Sequence, residues 1–386
     1  MKKRKKKKNR KTRGGMTVDN NRQDMMNEFG DLIKKNIMDH LSVTVDRDAD
    51  ISVSRIIKNN DTMLTALSIR EPDLNISPNI YIDGYFEDYT NGRDISDICD
   101  EIAAIYMAHR LPEIKGFDIS DITDYETVKD RLVTKIVNTK LNSQFLENIP
   151  HKEFGDLSVI AQIRLDENMD MSASITVRDD ILDRWNVTFD EVIDTANDND
   201  ISLTSPRLIP MDRVIESMRL SYDIDQDEFL PDKDEALIPM YVLSTQDKIN
   251  GAKLLNRQDI MDEIADFMQG DFIALPSSIH EAIIIPADKS TYDVNELSDM
   301  VKSINSEVLS KSDVLSDHAY IYSKDSRSLF FEKDGNKIQM KFTKQSADHK
   351  RSKGIKERLN RAQIKKDTQI IDNDRNKTGQ RSVSRD

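Results

Sequence analysis

Cysteine is almost missing from this 386-residue chain. Cys99 stands alone, which excludes an intramolecular disulfide, argues against a thiolate-built zinc site and fits a reducing compartment. Glycine is scarce, at twelve residues. Neither Gly-x-x-x-x-Gly-Lys-Ser/Thr nor Gly-x-Gly-x-x-Gly occurs, so neither standard phosphate-cradling turn is available. Long apolar runs are missing too. No stretch approaches the roughly 18 residues that suggest a membrane span, and the basic opening is not followed by the apolar region of a secretory signal. The expectation is a cytoplasmic protein with no membrane association and no cofactor.

Charge is what the chain has in excess, and it is unevenly placed. Ten Lys/Arg and no acid lie between Met1 and Arg13, and residues 341–386 hold fourteen bases against six acids. The remaining body keeps 32 bases and 64 acids, a formal charge of −32, although the whole chain carries −14. Such a body repels nucleic acid and anionic surfaces. Only the basic tails, between Lys2 and Arg13 and between Lys341 and Arg385, suit a polyanion. Charge asymmetry on this scale implies separate jobs for body and tails, or tails that fold back on the body. The segment Arg13-Gly14-Gly15 before Met16 also reads as a translated ribosome site. That leaves a start at Met16 or Met26 as the competing account of residues 1–15.

Between the tails the patterning is mixed α+β, with mostly antiparallel sheets and packed helices. Apolar residues at three- and four-residue steps, including Phe29, Ile33 and Ile37, predict a helix over 21–41. Alternation predicts strands around 51–53, 63–69 and 80–82, and Asp83-Gly84 reads as a turn. A helix over 95–109 comes next, N-capped by Asp94 and stopped by Pro112. A further helix is expected over 124–146, with Thr123 and Glu126 at capping-box spacing. Strands over 157–163 and 172–177 form a hairpin candidate, and helices are expected at 180–185 and 189–197, the second opened by a Thr188/Glu191 capping box. Residues 221–236 read as an acidic linker. It divides an N-terminal α+β region over 21–220 from a C-terminal α+β module over 237–332 in the order β-β-α-β-β-α-β-β. In that module 238–244 and 252–255 are expected strands joined at Asn250-Gly251. Residues 1–20 form a basic arm and 342–386 a basic tail, both expected to be disordered, with a short basic helix at 355–366.

Four segments stand out: Ser77-Pro78-Asn79-Ile80-Tyr81-Ile82-Asp83-Gly84-Tyr85-Phe86; Val128-Lys129-Asp130-Arg131-Leu132 with Glu147-Asn148-Ile149-Pro150-His151; Pro206-Arg207-Leu208-Ile209-Pro210; and Leu275-Pro276-Ser277-Ser278-Ile279-His280-Glu281. As an ordered set they resemble one bacterial family, domain of unknown function 5688. The resemblance spans about 25–331 and omits both tails. It implies no activity, cofactor or catalytic residue.

Two places carry chemistry worth weighing. Ser277, Ser278, His280 and Glu281 offer a nucleophile, a base and an orienting group. Triad members, however, usually converge from separated segments, so a polar turn that caps backbone groups is the stronger account. Tyr81, Gly84, Tyr85 and Phe86 offer an aromatic platform for a ligand or peptide, against which stands packing at a strand edge under the following helix. His280-Glu281 lacks the second histidine of the zinc helix motif. Asp223-x-Asp225-x-Asp227 starts like a calcium loop but places Glu228 where glycine is needed; no metal site is expected. The chain reads as a non-enzymatic binding or adaptor protein with a protein partner. A hydrolase using the 277–281 turn is the first alternative, and a nucleic-acid-associated protein acting through its tails is the second.

Overall fold

The computed structural model describes residues 15–72, 77–110, 122–165, 174–222 and 238–344, which form an α+β architecture. The chain divides into two compact units. The first is Met1–Lys58 with Thr62–Ile119, and the second is Asn59–Asp61 with Ser120–Asp386.

In the first unit, α1 (Gly15–His40) and α3 (Ile95–His109) pack together and share a core with β1 (Asp50–Ile57), β2 (Met63–Arg70), β3 (Asn79–Tyr81) and α2 (Asp83–Thr90). The expected stripe on α1 is the one that is buried: Met26, Phe29, Ile33, Ile37 and, just beyond the helix, Leu41. On α3, Ile98, Cys99, Ile102, Ala103 and Tyr106 face it, as the 3.6-residue period requires. Asp94 accepts a hydrogen bond from Ser96 N–H and so caps α3, and His109 closes its last turn, where positive charge suits the helix dipole. The strands are antiparallel in the order β1-β2-β3. Asp83-Gly84 is not a turn between strands but the start of α2. Asp83 accepts a hydrogen bond from Thr65 N–H at 2.8 Å, which ties the new helix to β2.

The second unit holds two antiparallel sheets. One is built on β6 (Leu157–Arg164), which pairs with β4 (Leu132–Asn138), β5 (Lys152–Phe154) and β7 (Ser174–Thr176). The helix expected over 124–146 is therefore interrupted by a strand; only α4 (Tyr125–Val128) and short 3-10 turns at Lys129–Arg131 and Phe145–Asn148 are helical. The pairs Leu132/Val133 and Ile136/Val137 fit a helical stripe, but β4 is buried on both faces. A doubly covered strand has no alternation to read. The cap is Asp124, which accepts from Glu126 N–H. Next come α5 (Asp179–Trp185) and α6 (Phe189–Thr204), the latter opened by the Thr188/Glu191 capping box.

The second sheet comprises β8 (Pro206–Pro210), β9 (Tyr241–Thr245), β10 (Phe272–Leu275), β11 (Ala282–Pro286), β12 (Tyr320–Ser323), β13 (Ser328–Lys333) and β14 (Asn336–Met340), in the order β14-β13-β12-β10-β11-β9-β8. Helices α7 (Met211–Tyr222), α8 (Gln258–Met268) and α9 (Val294–Glu307) complete the unit. Pairing of β8 with β9, Leu208 opposite Leu243, corrects the expected domain division. The chain between them connects neighbouring strands of one sheet, and the division into compact units falls at 119–120 instead. Residues 252–255 are a 3-10 turn (Gly251–Asn256), not a strand. The chain does not leave the fold at 342 either: the Phe342 ring centroid lies 5.9 Å from that of Phe154, and Thr343 is buried. Most of the acidic linker, the Asp223/Asp225/Asp227 run, Pro112, residues 1–14 and the expected helix at 355–366 lie outside the described residues.

Candidate functional site

The strand ladder of β10 and β11 ends at Leu275 opposite Ile283, so 276–281 lie beyond it as a connecting turn. Backbone hydrogen bonds hold the turn from two sides. Ser316 N–H and Leu315 N–H donate to Pro276 and Ser277 carbonyls, Ile279 N–H donates to Asp313 O, and Gly251 N–H and Ala252 N–H donate to His280 and Ile279 carbonyls. Ser244 Oγ adds a bond to His280 O at 2.8 Å. A Cβ at Gly251 would sit 2.5 Å from both His280 O and Ser244 Oγ. The Asn250-Gly251 pair, read as a hairpin turn, is therefore a close approach that only glycine permits.

The side chains of the turn do not assemble a triad. Ser278 Oγ accepts from His280 N–H at 3.1 Å, a local hydroxyl turn of the expected kind. The His280 ring points its two nitrogens elsewhere. Nδ1 accepts from Asn250 N–H at 3.4 Å, and Nε2 lies 3.8 Å from Asp313 Oδ1. An accepting Nδ1 places the ring proton on Nε2, toward the carboxylate. The imidazole is thus held through Nδ1, while Nε2 stands beyond hydrogen-bonding distance of the Asp313 carboxylate. The His280 and Asp313 side chains are 39% and 36% exposed, while Ser278 is buried and Glu281 exposed. The loop carrying Asp313 is itself fixed by amides. Asn59 Nδ2 donates to Ser312 O, Asn60 Nδ2 to Lys311 O and Val314 O, and Asn138 Nδ2 to Leu315 O.

The aromatic candidates belong to the first unit, and mostly to α2 rather than to a strand edge. Phe86 is core, 5.6 Å from Phe29 between ring centroids. The Tyr85 hydroxyl donates to Glu101 Oε1 at 3.0 Å, and burial together with that carboxylate pushes its phenol up to about 12. Lys58 Nζ lies 4.7 Å from the centre of the Tyr81 ring, a cation–π contact. Gly84 is exposed with open space around its Cβ position, so nothing in its surroundings demands glycine.

A family model described as a family of unknown function, DUF5688, matches residues 26–324. The chain belongs to this family. The DUF5688 match takes in both the aromatic helix and the 275–281 turn. No curated protein and no solved structure matches the chain.

Within the DUF5688 span lie two polar clusters that sequence reasoning missed. In the first unit, Glu71 is buried and takes a bidentate bond from Arg110, with 2.5 Å to each oxygen, plus the Tyr106 hydroxyl at 2.7 Å and Asp46 N–H at 2.9 Å. Burial alone would raise this carboxyl; the bonds from Arg110, Tyr106 and Asp46 outweigh it and hold it below its usual range. In the second unit Asp200, 1% exposed, receives Lys253 Nζ at 2.6 Å, Thr134 N–H at 3.1 Å and Thr134 Oγ1 at 2.5 Å; Lys253 is 2% exposed. Beside it Arg257 donates to Asn197 O, and Asn197 and Asn256 both donate to Thr343 Oγ1. One signal was available. Asn197, Asp200 and Thr204 continue the buried stripe of Val192, Ile193 and Ala196 on α6, and polar residues on an apolar face demand partners.

Proposed function

We propose that this protein is a non-enzymatic, cytoplasmic binding or adaptor protein whose acidic body engages a protein partner presenting basic surface. The observation that carries the reading is the −32 charge on the body, with 64 carboxylates against 32 cations. The use made of the catalytic-looking groups supports it as well. Ser278 closes its own turn, and His280 Nδ1 accepts from Asn250 N–H. A lone, buried Cys99 thiol, pushed up to about 11 by burial and by the neighbouring Asp100, suits a reducing compartment.

Affinity capture from native cytosol tests this, using the full chain and a chain of residues 15–344. Retention of the same specific partner by both, with release at high salt, is the expected result. Failure of both to retain any specific protein would sink the binding class.

A hydrolase remains the second reading, favoured by the exposed His280–Asp313 pair beside Ser278. Labelling of Ser277 or Ser278 by a serine-directed phosphonate, abolished in His280→Ala, would replace the adaptor reading. A third reading gives the tails, Lys2 to Arg13 and Lys341 to Arg385, a nucleic-acid partner. It predicts binding with steep salt dependence that vanishes when 1–14 and 345–386 are removed, which leaves Phe342 and Thr343 in place.

A further inference from the structure

Just after β14 the chain is gripped by side chains of the second unit. Phe342 sets its ring centroid 5.9 Å from that of Phe154, and Thr343 next to it is buried. Two fully buried asparagines close on Thr343 from separate segments. Asn256, at the end of the 251–256 turn, donates from Nδ2 to Thr343 Oγ1 at 2.6 Å and accepts from Thr343 N–H at Oδ1, 3.2 Å away. Asn197 of α6 donates from Nδ2 to Thr343 Oγ1 at 2.8 Å and to Lys344 O at 3.2 Å. Lys341 and Lys344 flank the buried threonine and are exposed.

Packing a chain end onto a core needs only apolar contact. Here an N–H, a hydroxyl and the next carbonyl of one short segment are each met by a side-chain amide. That is how proteins read a peptide: bonds to the main chain hold it, and seats for particular side chains select it. The seat is also braced from behind. Arg257 donates to Asn197 O and to both carboxylate oxygens of Asp259, which fixes part of the frame in advance and lowers the cost of binding. Burial raises the Asp194 carboxyl, three residues before Asn197, and the charges of Lys152 and Lys344 oppose that rise. A cation directly after the threonine is therefore matched. The fit is still incomplete, because Asn197 Oδ1 is buried with no partner among the described residues.

We propose that Phe154, Asn197 and Asn256 form a peptide-binding slot, filled in cis by residues 341–344, that also accepts a partner's extended segment of the same chemistry: an aromatic residue, then Ser or Thr, then Lys or Arg. For its natural ligand the slot rests on the adaptor reading above, and it narrows that reading from a basic surface to one kind of segment. Residues 341–344 are then a built-in competitor that the partner displaces.

The probe is a fluorescein-labelled peptide of residues 339–346, followed by anisotropy. It is titrated with the full chain, both as the parent and with the strap weakened by Thr343→Val or by Phe342→Ala, each variant first checked for a cooperative melt. A folded variant should bind about tenfold more tightly than the parent, whose tethered strap competes at an effective concentration of about millimolar or above. The same peptide carrying Thr343→Val should bind about tenfold more weakly at unchanged charge. Binding by none of the three chains overturns the slot. So does equal binding of the two peptides, which would mean that the acidic surface holds any cationic peptide. The slot and the adaptor reading fail separately. A specific partner captured from cytosol that excess peptide does not release keeps the adaptor reading and overturns the slot. Threonine-dependent peptide binding with no captured partner keeps the slot and removes the adaptor reading.

Discussion

The two units of this molecule place their buried charge differently. In the first, the core of α1, α3 and the small sheet is apolar, and its one buried carboxylate among the described residues, Glu71, sits at the rim, answered by Arg110, which is 19% exposed. In the second, an ion pair of two fully buried residues, Asp200 and Lys253, lies between α6, β4 and the 251–256 turn, with a ring of amides and hydroxyls beside it. The first unit is held as a patterned helix–sheet core is held, through burial of matched apolar faces. The second adds groups that are worth little unless every partner is present, because an unpaired charge inside protein is costly while a satisfied pair roughly breaks even.

The strongest way to break this contrast is to remove one partner of the buried pair. Lys253→Met is expected to cost about 3–5 kcal/mol by stranding Asp200. Replacing both, as Asp200→Asn with Lys253→Met, should recover part of that loss, because the amide removes the stranded charge and its oxygen still accepts from Thr134 N–H. Urea midpoints read the magnitude, and amide exchange locates it. Protection should fall in β4 and α6 and stay unchanged in α1 and α3.

At the rim of the first unit, Glu71→Gln should cost about 1.5–3 kcal/mol, the scale of charge-assisted hydrogen bonds. The sign of its pH dependence comes from a folded-state carboxyl held below its unfolded value. Its stabilisation is complete above the ordinary carboxylate range and disappears as pH falls through the lowered folded value. Acid unfolding of the parent should therefore be steeper than that of Glu71→Gln. Equal slopes would show that the clamp contributes no linkage.

Gly251→Ala probes the tight approach at the 276–281 turn. With His280 O and Ser244 Oγ both 2.5 Å from the new Cβ, backbone must shift, at about 1–3 kcal/mol. Thermal melts would measure it, and an unchanged melting temperature would mean the turn is softer than its bonds imply. The smallest effect belongs to a helix start. Asp293 accepts from Asn295 and Glu296 N–H in a capping box on α9, and Asp293→Ala should cost about 1 kcal/mol, detectable as earlier exchange of the first turn.

Legibility of the chain divides along the same line. Helices α1 and α3 are legible because each has one buried face and one wet face, and the Thr188/Glu191 and Asp293/Glu296 boxes are legible because capping is local. Strand β4 is not, since cover on both faces erases its alternation. Residues 252–255 pass for a strand because so short an apolar stretch fits a 3-10 turn equally well. As for candidate sites, Ser277 to Glu281 do form one turn, as their composition indicates. The groups that engage them, Ser244, then Asn250, Gly251 and Ala252, then Asp313 and Leu315, come from three other segments. Asp200 lies 66 residues from Thr134 and 53 from Lys253, and no spacing rule links them.

From its sequence alone this chain determined its family, its α+β character, its lone thiol and the opposition of acidic body and basic ends, because composition, local capping and helical period need no partner to be expressed. Which carboxylates are buried and answered, where the units divide, and that Thr343 and Lys344 meet Asn197 of α6 were decided only by tertiary structure. Each depends on residues far apart in the chain being brought within hydrogen-bonding distance.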